Sequence, residues 1–178
     1  MLNEKEYDRV AAVTYAKKWA LSRNPLFTDY AGIGGDCTSF ASQCVLAGSC
    51  IMNFAPTFGW YYINSERRTA SWTGVEFFYD FMINNRNEGP FAVSAPLSAA
   101  KVGDVIQLAK ENDWYHTLVV TKIENQRVFV TAHTIDVIDR PLDEYDYEEA
   151  RLIHFIGVRY KNESSCFAPL LEGTELRL

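Results

Sequence analysis

The sequence lacks the features that mark several large classes of protein. It has no run of Lys or Arg and a net charge of −6, so nucleic acid is not an expected partner. Its longest apolar runs are only as long as a strand, so no membrane-spanning segment is expected. The opening MLNEKEYDRV is charged and has no apolar stretch, which is not the pattern of a signal peptide. We therefore expect either an intracellular protein or one part of a longer exported chain.

Cysteine spacing also excludes two common kinds of site. The four cysteines, Cys37, Cys44, Cys50 and Cys166, include no C-x-x-C pair, so neither a zinc knuckle nor a thioredoxin-type motif is predicted. A chain of 178 residues does not need disulfides to be stable. We therefore expect all four to be free thiols, with Cys44 a small core residue.

Hydrophobic residues make up 48% of the chain, enough for one well-filled core, and we expect a single domain over residues 1–178. Helical patterns come first, within about residues 1–95, and strand patterns follow within about 100–162, before a C-terminal tail. This segregation predicts an α+β fold. The predicted helices span 4–22, 37–47 and 75–85, and the predicted strands span 105–108, 117–123, 127–133 and 154–160.

One stretch, GGDCTSFASQCVLAG (34–48), carries the first candidate for chemistry. Cys37 stands where a glycine turn becomes a helix, and Asp36 is expected to be the N-cap of that helix. The start of a helix stabilises a thiolate, so Cys37 is a candidate nucleophile. The alternative is that Cys37 is a buried core residue, which is the common state of a free cysteine.

A nucleophilic cysteine needs a base, and the chain offers three histidines. His116 begins one predicted strand and His133 ends the next. In an antiparallel hairpin these two positions are neighbours, so His116, at an exposed strand start, is the candidate base and His133 is expected to lie close to it. Trp114 and Tyr115 precede His116 and are expected to border the site, whereas His154 has no evident partner.

The GGDCTSFASQ stretch resembles the motif of the putative amidase domain family, which is related to the NlpC/P60 and CHAP groups of papain-like cysteine peptidases and amidases. Ser39 departs from this motif, because asparagine is common at its position. Further short matches follow in the same order along the chain, so the resemblance covers about residues 5–160. These matches are Asn24-Pro25, Trp72, Gly103-Asp104, His116 and Thr131–Thr134.

The resemblance implies a papain-like fold and an enzyme that hydrolyses an amide or peptide bond through a thioester. Cys37 is then the nucleophile, activated as a thiolate, and His116 is the base. His133 is the third polar group, with Asp136 as an alternative. The backbone N–H of Cys37 would stabilise the oxyanion, and Asp36 would cap the helix or contact the substrate. No metal or other cofactor is implied, and the first expected substrate is a peptide or amide such as a bacterial cell-wall (peptidoglycan) stem peptide.

Three other interpretations remain open at this point. A thiol acyltransferase would use the same cysteine and histidine. A zinc site could be built from Cys37, His116 and His133, although these residues include no closely spaced ligand pair. An inactive binding module could keep the fold without the chemistry.

Overall fold

Residues 1–178 are all described by the computed structural model, which has an α+β architecture, as predicted. The helices are α1 (Arg9–Trp19), α2 (Asp36–Ser49), α3 (Ala70–Thr73), α4 (Val75–Asn84) and α5 (Phe167–Glu172). The strands are β1 (Asn3–Lys5), β2 (Gly89–Ala95), β3 (Val105–Lys110), β4 (Asp113–Glu124), β5 (Arg127–Ala132), β6 (Val137–Pro141) and β7 (Glu149–Tyr160). None of the helices is long and apolar enough to cross a membrane.

The strands form one antiparallel sheet in the order β1-β7-β3-β4-β5-β6, and β2 also pairs with β7. The predicted hairpin is present as β4 and β5, with Val119 opposite Thr131. Its tight turn places Asn125 and Gln126 at φ of 50° and 66°. Positive φ at both central residues is what a two-residue hairpin turn requires. The hairpin fixes which end of β4 lies beside the end of β5.

Helix α2 is buried along its whole length. Its apolar residues Phe40, Cys44 and Ala47 pack in the larger core, between the helices and one face of the sheet. A smaller core, which includes Leu108, Leu118 and Val130, lies on the opposite face. Adjacent residues of a strand point to opposite faces. A strand residue that packs in the larger core therefore faces α2, and one that packs in the smaller core faces away from it.

The first predicted helix is shorter than expected. Residues 3–5 form strand β1 against β7, and the helix begins only at Arg9. The Asp8 carboxylate accepts a hydrogen bond from the Ala11 N–H at 2.9 Å, so Asp8 caps this helix and Asn3 does not. Pairing with a strand more than 150 residues away overrides the local helix pattern.

The expectation of four free thiols is wrong for two cysteines. Cys50 and Cys166 form a disulfide, with their Cα atoms 5.4 Å apart. Cys50 follows α2 in a left-handed conformation, and Cys166 directly precedes α5. The bond ties the end of the buried helix to the C-terminal segment. Cys37 and Cys44 are free and buried.

Candidate active site

The loop before α2 sets the position of Cys37. Gly32, Gly34 and Gly35 all adopt positive φ, and Gly35 has a φ of 125° that other residues rarely take. Gly35 is the N-cap residue and Asp36 is the first residue of the helix, which corrects the predicted capping role of Asp36. The first backbone bond of the helix joins the Ser39 N–H to the Gly35 carbonyl. The Cys37 N–H therefore has no backbone acceptor.

The Cys37 thiol is 5% exposed and lies against strand β4. Its Sγ is 3.8 Å from Thr38 Oγ1, which is 2.9 Å from Thr117 Oγ1. Burial raises the pKa of Cys37, and backbone hydrogen bonding from Thr117 only partly opposes this. The predicted thiolate stabilisation is therefore wrong for the free protein, because loss of solvation outweighs the start of the helix. The thiol carries its proton at neutral pH.

His116 immediately precedes Thr117, so the sulfur lies beside the peptide that joins the two residues. The His116 side chain points the other way from that of Thr117, since it is opposite Leu108 and belongs to the face of the smaller core. Its ring is 6.0 Å from the Tyr145 ring and makes no hydrogen bond. Burial, with a smaller contribution from Arg140, lowers the pKa of His116 to about 4. The backbone of His116 thus meets the cysteine, but the imidazole does not hydrogen-bond the thiol.

His133 does not have the orienting role that the resemblance implied. Its Nδ1 is 2.8 Å from Asp36 Oδ2, its Nε2 is 2.9 Å from the Trp19 carbonyl, and its ring stacks on Phe40 at 3.9 Å. Continuing the ladder from Val119 and Thr131 places His133 opposite Thr117, which faces the helices. His133 and His116 are therefore neighbours along the sheet but point to opposite faces.

The alternative third residue, Asp136, is also engaged elsewhere. Its carboxylate accepts two hydrogen bonds from Arg23, at 2.8 and 3.0 Å. Arg23 Nε is also 3.3 Å from the buried carboxylate of Asp36, which accepts the Tyr30 N–H as well. Together with His133 these side chains form a compact charge network that holds the start of α2. Sequence reasoning missed Arg23, which stands before Asn24-Pro25 with no motif of its own.

The two aromatic residues before His116 have different surroundings. Trp114 stacks on the Arg151 guanidinium at 3.9 Å, and Tyr79 covers Arg151 at 3.7 Å. Tyr115 is 40% exposed and donates its hydroxyl to the Asp146 carbonyl. Both aromatic residues lie at the end of the sheet that carries His116. Arg151 is a further polar residue there that sequence reasoning did not single out.

No group of three or more His, Cys, Asp or Glu side chains is placed to hold a metal ion. Cys37, His116 and His133 therefore do not form a zinc site in this structure. A surface cavity of about 770 Å³ lies between α4 and residues 53–59, and Phe58, Phe77 and Phe81 contribute to its lining. That cavity includes none of the three candidate residues.

Comparison with known proteins gives two relatives from Bacillus subtilis (strain 168). The uncharacterised protein YhbB is 33% identical over 137 residues, which are 74% of this chain and 42% of YhbB. The uncharacterised protein YjcM is 28% identical over 164 residues, which are 87% of this chain and 37% of YjcM. The chain thus spans less than half the length of either relative. No solved structure gives a significant match.

The family comparison covers the helices, the glycine loop and most of the sheet. The model of the putative amidase domain matches residues 6–156, which include Cys37, His116 and the charge network around His133. A match over so much of the fold is not limited to the ten residues of the GGDCTSFASQ stretch. The chain belongs to the putative amidase domain family.

Proposed function

We propose that this domain is a cysteine-dependent amide hydrolase with Cys37 as its nucleophile. The observation that carries the proposal is the position of the Cys37 thiol, between the free N–H groups at the start of α2 and the His116–Thr117 peptide of β4. Membership of the amidase family supports amide hydrolysis as the reaction. A helix that bears the cysteine and packs on an antiparallel sheet also supports a papain-like relationship to the NlpC/P60 and CHAP groups.

We infer that His116 is the base. The lowered pKa of about 4 leaves its ring neutral at pH 7, and neither nitrogen is engaged by another group of the protein. Hydrogen bonds between catalytic groups often form only once substrate is bound. Such a bond would require the His116 side chain to move away from Tyr145, because the ring faces the smaller core in the free protein. Because both groups are uncharged at rest, proton transfer would accompany attack.

The reaction then follows from these positions. His116 takes the thiol proton as Cys37 Sγ attacks the amide carbonyl carbon, and the Cys37 N–H donates to the resulting oxyanion. The C–N bond breaks, His116 returns the proton to the leaving amine, and a thioester remains. His116 next takes a proton from water, which attacks the thioester carbonyl carbon; the C–S bond breaks, the carboxylic acid leaves, and His116 returns the proton to Cys37 Sγ. His133 would contribute indirectly, by fixing Asp36 and the start of α2.

The proposed substrate is a peptide or a related amide, with a bacterial cell-wall stem peptide as the first to test. The bacterial relatives make this class the natural starting point. The chain spans less than half the length of its relatives, so any activity of a longer protein that contains this domain is also only proposed here.

The test is amine release from isolated Bacillus cell walls and from a panel of blocked peptides. We expect Cys37→Ala to abolish release and His116→Ala to lower it by a factor of about 100 or more. The matched control is Cys44→Ala, since Cys44 is the other free, buried cysteine of α2, and this variant should retain activity.

Iodoacetamide labelling over a range of pH checks the state of the thiol in the same protein. Labelling should rise at a higher pH than that of an ordinary thiol, because burial raises the pKa of Cys37. Amine release that persists in Cys37→Ala would contradict the proposal. A complete lack of release with every substrate, combined with a thiol that cannot be labelled even at high pH, would favour the inactive binding module.

A further inference from the structure

A row of polar side chains crosses three neighbouring strands beside the candidate nucleophile. Gln107 of β3 is in register with Thr117 of β4 on one side and with Arg151 of β7 on the other. All three side chains face the helices. Gln107 is completely buried and Thr117 nearly so. Burying polar groups costs free energy, so a buried polar row at this position suggests a role beyond packing.

Hydrogen bonds connect the row to the site. Arg151 Nε donates to Gln107 Oε1 at 2.9 Å, and Gln107 Nε2 donates to Thr117 Oγ1 at 3.3 Å. Thr117 Oγ1 is in turn 2.9 Å from Thr38 Oγ1, on the residue that follows Cys37. The Arg151 guanidinium is thus held at a fixed distance from the thiol by buried, hydrogen-bonded side chains.

Arg151 is rigidly held but incompletely satisfied. The Tyr79 and Trp114 rings clamp its guanidinium from two sides. No carboxylate lies within 4.0 Å of it, and the carboxylates of Glu76 and Asp80 on α4 are farther away than an ion pair allows. Only Nε donates a hydrogen bond within the protein, and Nη2 is buried without an acceptor. Nη1 also makes no hydrogen bond within the protein and, unlike Nη2, is accessible to solvent, so it is free to donate to a bound group.

Arg159 on the same strand provides a direct comparison. It also stacks on an aromatic ring, that of Phe91 at 3.6 Å, but its Nε is 3.0 Å from a carboxylate oxygen of Glu4. Stacking on an aromatic ring therefore does not by itself explain why Arg151 lacks an anion. A guanidinium N–H makes a strong, charge-assisted hydrogen bond to a carboxylate, and arginine stays charged when it is partly buried.

We propose that Arg151 binds a carboxylate of the substrate, so that the domain acts on acidic peptides or amides. Two strand spacings separate Arg151 from Thr117, which is about 10 Å. An extended peptide covers that distance in about three residues. The recognised carboxylate would therefore lie up to about three residues from the bond that Cys37 attacks. This inference rests on the proposed function of Cys37, but its test does not require catalysis.

The test measures binding to the Cys37→Ala protein, which cannot turn substrate over. The first probe is the blocked peptide acetyl-Ala-Ala-Glu-Ala-Ala-amide, and the second has Gln in place of Glu. A third probe has Gln and a free C-terminal carboxylate, which distinguishes a side-chain from a terminal carboxylate. We expect one of the two acidic probes to bind about tenfold more tightly than the neutral one in calorimetry.

Variants at Arg151 and Arg159 test whether the preference for the acidic probe depends on the Arg151 side chain. In the Cys37→Ala background, Arg151→Met should reduce the preference for the acidic probe to less than about twofold, and Arg151→Lys should keep part of it. The matched control, Arg159→Met, should keep all of it. Circular dichroism checks that each variant is folded, and Arg151→Gln replaces Arg151→Met if the latter is not.

Equal affinity for acidic and neutral probes, or no binding of any of them at millimolar concentration, would overturn the carboxylate site. A preference that survives in folded Arg151→Met or Arg151→Gln would overturn it as well. If the preference depends on Arg151 but the amine-release and labelling tests of Cys37 fail, the carboxylate site stands and the hydrolase proposal fails. The two proposals therefore fail separately.

Discussion

Replacing His133 by Ala tests whether this residue serves the fold or the chemistry. The change removes a hydrogen bond to the buried Asp36 carboxylate, which is worth about 1.5–3 kcal/mol. It also opens a gap beside Phe40, which costs about 1–2 kcal/mol. Together these two losses should lower the free energy of unfolding by about 2.5–5 kcal/mol. For a chain of this size the melting temperature should fall by about 10 °C.

Thermal unfolding followed by circular dichroism measures the melting temperature, and iodoacetamide labelling of Cys37 follows the site. His116→Ala is the comparison, since the ring of that residue makes no hydrogen bond. At neutral pH we expect His133→Ala to lose stability and His116→Ala to lose substrate turnover instead. A His133→Ala protein with an unchanged melting temperature and lost turnover would refute the structural role that we assign to His133.

Two further predictions concern stability. The pKa of His116 is about 4 in the folded protein against 6.5 for an ordinary histidine, so acidification from pH 6.5 to 4 protonates the unfolded chain first and should cost about 3 kcal/mol. Urea unfolding of His116→Gln should lack that contribution, and an unchanged pH slope would contradict the assignment. Reduction of the Cys50–Cys166 disulfide, which joins residues 116 positions apart, should cost about 4–5 kcal/mol. Melting with and without reductant measures this, and Cys50→Ala should melt like the reduced protein and no longer respond to reductant.

Several elements could be predicted because their causes are local. The glycine turn and the following apolar pattern predicted α2, which begins one residue before and ends two residues after the predicted bounds. The hairpin could be read from two strand patterns and a short polar turn. The family could be predicted from a short motif, and the family model confirms it over residues 6–156.

The partners of the site residues could not be predicted in the same way. The hairpin placed His116 beside His133 along the sheet, but only the register showed which of them shares a face with Thr117. A shift of one residue in a strand reverses the face, and no local pattern near His116 sets that choice. The predicted shift in the pKa of Cys37 was wrong in direction. Burial against the sheet removes solvent from the thiol, and this loss of solvation raises the pKa.

The sequence by itself determined the order of helices and strands, the turn that exposes the N–H groups of α2, and the cysteine placed at that turn. Propensities and turn geometry act over a few residues, so they can be read from a few residues. Only the tertiary structure decided that His133 meets Asp36, that Cys50 meets Cys166, and that Arg151 lies between Tyr79 and Trp114 without an anion. These pairs are separated by 37 to 116 positions, and they meet because burial of apolar surface, which has no preferred direction along the chain, brings distant segments together.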